Sequence, residues 1–112
     1  MAKYMFIYRD QAEPTSQPSP EQMQSFLAMW GEWFQKHASA IVDGGDGLQP
    51  TGRVLSADGT VSDGPYVEAK ELIGGYSVVQ ADNYDAAVAV ARDCPIVSIG
   101  GAIEIREFAG FN

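Results

Sequence analysis

The stretch that most limits what this chain can become is residues 3–8, where Tyr4, Phe6 and Tyr8 alternate with Met5 and Ile7. A period of two and a run of β-formers make it a strand. Both of its faces are apolar, so the sheet that holds it needs cover on both sides. One helix layer can cover only one of them.

The order of the remaining segments decides which sheet that is. Asp10 to Pro18 is a polar loop, and Ser19-Pro20-Glu21-Gln22 then supplies an N-cap, a proline at the first helical position and a capping-box glutamine. Met23, Phe26, Leu27, Trp30 and Phe34 recur at three and four residues, which predicts a helix to about His37. Ile41-Val42 opens a second strand, interrupted by Asp43-Gly44-Gly45-Asp46-Gly47, a composition that predicts a bulge or a close backbone approach. Thr51 to Ala57 and Thr60 to Ser62 read as a hairpin around a two-residue Asp58-Gly59 turn. Gly75 to Ala81 reads as an interior strand. Asp82 is the expected cap of a second helix, striped by Tyr84, Ala87, Val88 and Ala91 and ended by Pro95. Ala102 to Phe108 closes the chain as a strand. Two strand–helix–strand halves with right-handed crossovers predict an α+β, ferredoxin-like antiparallel sheet with both helices on one face and an extra hairpin. The other face is expected to carry Tyr4, Phe6, Tyr8 and Phe108 beside Glu104 and Arg106, and a second copy of the same sheet is its economical cover.

Composition narrows the partners. At 112 residues one domain over 1–112 is expected, large enough to bury about two-thirds of its unfolded surface. A net charge of -8, with no cluster of Lys or Arg, argues against nucleic acid and anionic membranes. Cys94 is the sole cysteine, so no internal disulfide can form, and no spacing suggests a zinc site or another cofactor. The N-terminal apolar run is too short for a secretory signal, and no run approaches a membrane span, so the chain reads as cytoplasmic.

The unusual chemistry lies at Asp63-Gly64-Pro65-Tyr66-Val67-Glu68-Ala69-Lys70-Glu71. Pro65 has no N–H, so the Asp63 carboxylate loses its ordinary partner two residues on. It must bond to Lys70, to more distant amides or to a ligand. A turn-fixing role is favoured over a general base. Lys70, flanked by Glu68 and Glu71, reads as a charge partner rather than a nucleophile. His37 suits the negative end of its helix dipole, and Cys94 reads as a buried thiol. Trp30 continues the core stripe while Trp33 falls to one side. Glu104 and Arg106 read as an intra-sheet ion pair before an anion clamp.

With Asp63-Gly64-Pro65-Tyr66, Gly44-Gly45 ahead of Leu48-Gln49-Pro50, Gly74-Gly75-Tyr76, Cys94-Pro95 and Glu104-Ile105-Arg106, the chain resembles the YCII-related family, in its DGPF-domain branch. The resemblance implies a ferredoxin-like fold that dimerises into an α/β barrel. It also implies a catalytic pair of a His at the start of the first helix and a later Asp, with dehydrochlorination of an aromatic ring in one branch. Residues 19–23 hold no His, so only Asp63 has a counterpart in that pair. Three functions are expected from this. The first is a homodimeric small-molecule-binding domain whose ligand residues are Tyr8, Asp63, Gly64, Pro65, Tyr66, Glu68, Lys70, Glu71 and Arg106. The second is an acid–base enzyme on a small aromatic or lactone-like metabolite with Asp63 as base. The third, implied by the DGPF branch, is a regulatory module associated with sigma factors.

Overall fold

Residues 1–11, 19–64 and 71–111 are described by the computed structural model, with the backbone alone described at 10, 11, 71 and 72. The elements are β1 (Ala2–Gln11), α1 (Pro20–Lys36), β2 (Ile41–Gly47), β3 (Gly52–Leu55), β4 (Val61–Gly64), β5 (Glu71–Ala81), α2 (Tyr84–Ala91), α3 (Pro95–Ser98) and β6 (Ala102–Glu107). Among the described residues four strands form one antiparallel sheet in the order β2-β5-β1-β6, while β3 and β4 pair with each other as a separate hairpin. This is the ferredoxin-like α+β arrangement. Each half crosses over through its own helix, and β1 and β5 take the centre.

Helix α1 begins where its cap says it should. The Ser19 side chain accepts from Gln22 N–H, and the Gln22 side chain accepts from Ser19 N–H, closing the box ahead of Pro20. Trp33 is its deeply buried residue, and the indole N–H donates to the Val90 carbonyl of α2 at 3.0 Å. Trp30 is only half-buried. The stripe expected from sequence is therefore rotated, with Trp33 in the core and Trp30 at its margin. Helix α2 is capped by Asn83 instead of Asp82, its side chain accepting from Ala86 N–H at 2.8 Å. Either residue can cap, and the chosen register turns Ala87 and Ala91 inward. Pro95 does not merely stop a helix. It starts the short α3 from its first position.

The choice of face on β1 also differs from the expectation. Tyr4, Phe6 and Tyr8 are buried under the helices, against Tyr84, Trp33 and Trp30 respectively, in one core with Val79, Ala87 and Ala91. Met5 and Ile7, opposite Val78 and Tyr76, take the helix-free face, together with Glu104 and Arg106. Period-two patterning cannot rank two apolar faces, and the larger side chains go where a helix layer can close over them. The hairpin is also longer than a two-residue turn: Leu55 pairs with Val61, and the 56–60 loop is closed by Ser56 N–H to the Thr60 carbonyl at 2.8 Å. Among the described residues no helix is long and apolar enough to cross a membrane.

Candidate functional site

A cavity of about 480 Å³ lies between α1 and the sheet, and its origin can be read from the side chains that are missing. Its floor is backbone: Gly44, Gly45 and Gly47 of β2 beside Gly74 and Gly75 of β5. With no Cβ to fill the layer, the α1 residues Met23, Phe26, Leu27, Trp30 and Phe34 stand over bare strands, with Tyr8 and Ile96 closing the inner end. The volume falls within the ordinary range for small-molecule sites. At Gly45 the φ is +70°, and a Cβ there would sit 1.8 Å from the Tyr76 carbonyl oxygen. Only glycine fits that crossing. The β2 register slips on both sides of Asp43, and Gly74 is the residue left over where Tyr8 pairs with Gly75 and Arg9 with Ile73. Bulges on both strands thus shape the floor.

Behind the aromatic wall runs a buried polar chain. The Tyr8 hydroxyl donates to Ser77 Oγ at 2.7 Å, and Ser77 donates to the Gly44 carbonyl at 2.7 Å. Burial, the largest cause, holds the Tyr8 hydroxyl protonated far above neutrality and pushes the neighbouring Cys94 thiol up to about 11. Neither group is a base or nucleophile at neutral pH. Ser77, fully buried in a strand of apolar neighbours, was not singled out by sequence reasoning. Its signal was a lone hydroxyl in Gly-Tyr-Ser-Val-Val, two residues after a glycine pair.

The YCII-related domain is the family whose sequence pattern matches residues 3–112. The chain belongs to that family. A comparison with curated proteins returns no match. Within this YCII-related domain the residues expected to form a site are spread apart. Tyr8 lines the cavity, whereas Asp63 stands on the separate β3–β4 hairpin with its side chain 94% exposed, paired to Arg53 at 3.5 Å. Gly64 ends β4, its Cα pointing a would-be Cβ at Val54 Cγ2, 3.0 Å away. Pro65, Tyr66, Glu68 and Lys70 lie outside the described residues, and Glu71 begins β5 with only its backbone described. Arg106 is on the helix-free face, where Glu104 accepts from Arg9 at 2.8 Å and from Arg106 at 3.3 Å. Arg9, drawing hardest, holds the Glu104 carboxyl below the usual carboxylate range. His37 closes α1 and meets Asp93 at 2.9 Å, beside the Lys36 to Asp93 contact, which ties the ends of α1 and α2 together away from the cavity.

Proposed function

We propose that this YCII-related domain is a homodimeric small-molecule-binding protein whose ligand lies between α1 and the glycine floor. The observation that carries the reading is the cavity itself: five glycines from two adjacent strands clear a space that four aromatic side chains, Tyr8, Phe26, Trp30 and Phe34, then enclose. A fold that needed only a core would fill it, because an empty apolar void forfeits packing energy. The dimer part of the reading is supported by Met5, Ile7, Tyr76 and Val78 on the helix-free face, which remain partly accessible in the single chain.

Solvent extraction of the purified protein followed by mass spectrometry tests the ligand part. The expected result is an enriched low-mass compound that raises the melting temperature when added back, and that fails to do so with Trp30→Leu, a half-buried position whose loss leaves the Trp33 core in place. A protein whose melting temperature responds equally with and without Trp30 would place the ligand elsewhere.

A further inference from the structure

A glycine-rich bulge ordinarily points free backbone N–H groups into a concavity and so attracts anions. This one does not. Gly45 N–H donates to Asp43 Oδ1 at 2.8 Å, and Gly47 N–H donates to Asp46 Oδ1 at 2.7 Å. The next amide, Leu48 N–H, goes to the Gly74 carbonyl at 2.8 Å. The Gly45 and Gly47 donors are held by the chain's own carboxylates and the Leu48 donor by a backbone carbonyl.

The inner end has the same polarity, and chemistry fixes its direction. A carbonyl can only accept, so Ser77 must give its proton to Gly44 and has only a lone pair to offer Tyr8. Tyr8 therefore spends its proton on Ser77, and its oxygen has only lone pairs left. Among the described residues bordering the cavity, none is Lys, Arg or His, and Asp46, whose carboxylate accepts from Gly47 N–H, is the acidic one. An anion entering here would lose hydration, meet no cation among the described lining residues and find the Trp30 indole N–H as a neutral donor, with the acidic Asp46 beside it, on a chain whose net charge is already -8.

We infer that the cavity selects a neutral or cationic, largely apolar aromatic molecule bearing hydrogen-bond donors, and turns away carboxylates and phosphates. This rests on the reading of the cavity as a ligand site and sharpens it. The test uses three probes with one apolar body: 2-naphthamide, 2-naphthylmethylammonium and 2-naphthoate. Each is titrated into the intact protein at neutral pH and low salt, and the Trp30 indole and Gly44 to Gly47 amide signals are followed by NMR. The amide and the ammonium are expected to shift the same signals, with 2-naphthoate about tenfold weaker. Asp46→Asn keeps an oxygen for Gly47 N–H and is expected to narrow the gap between amide and naphthoate to about threefold. Naphthoate binding as tightly as the amide at these signals, or a gap unmoved by Asp46→Asn, overturns the selection while leaving the ligand site standing. If no probe moves Trp30, the ligand site itself falls, and the selection with it.

Discussion

Gly45 and Asp63 were both conspicuous in the sequence, and their surroundings give them opposite weight. At Gly45 the backbone is left-handed and the Tyr76 carbonyl fills the place of a Cβ, so Gly45→Ala must open the β2–β5 ladder. A loss of about 1–3 kcal/mol or more is expected in a denaturant melt. Asp63 meets water almost everywhere, and its Arg53 contact at 3.5 Å is of the kind that contributes little. Asp63→Asn is therefore expected to leave the melting temperature unchanged within about 2 °C. A larger drop would show the carboxylate bonded more firmly than its exposure implies. That outcome differs from the cost of about 1–3 kcal/mol that the missing Pro65 donor suggests for a charge-assisted bond. What separates the two expectations is exposure: Asp63 stands on a two-stranded hairpin with its side chain 94% exposed, a placement that no local rule for aspartate before glycine–proline takes into account.

At the level of elements, the Arg9–Glu104–Arg106 cluster clamps β1 to β6. The folded state holds the Glu104 carboxyl below its unfolded value, so in the acid range the unfolded chain binds more protons. The clamp's contribution is complete above the ordinary glutamate range and is lost as pH falls through that range toward the folded value. Glu104→Gln lacks this dependence. The stability difference between the two proteins is thus expected to shrink between about pH 6 and pH 3 in urea titrations. A constant difference across that window would mean the clamp is not formed in solution. Element existence was legible almost throughout, because capping chemistry and glycine punctuation are local: Ser19 to Gln22 marked α1, and Asp43 to Gly47 marked a bulged strand. The rotation of α1 was not legible. Trp30 and Trp33 are both apolar, and which of them is buried depends on Val90 offering a carbonyl from another helix. The cavity was missed for a related reason. Its floor is a pairing of Gly44–Gly47 with Gly74–Gly75, some thirty residues apart, and each pair alone reads only as flexibility.

For the whole molecule, one helix layer on one sheet gives a body only 20 Å thick against 43 and 42 Å across, and leaves a sheet face uncovered. Placing a charge at its centre separates assembly from folding. Val78→Glu sits on the helix-free face opposite Met5, and is expected to turn a dimer into a folded monomer by light scattering, with circular dichroism unchanged. A monomeric wild-type protein at micromolar concentration would remove the dimer from the proposal. The two tryptophans, finally, give this fold an optical signature of its own. Their rings meet edge-on with centroids 5.7 Å apart, yet only Trp30 borders the cavity. Trp33 is fixed in the core by the Val90 carbonyl of α2, so the near-ultraviolet dichroism of the pair reports whether α1 is seated. The part of the emission that vanishes with Trp30→Phe reports occupancy of the space beneath it, so a single unlabelled sample can distinguish a protein that has lost its ligand from one that has lost its fold.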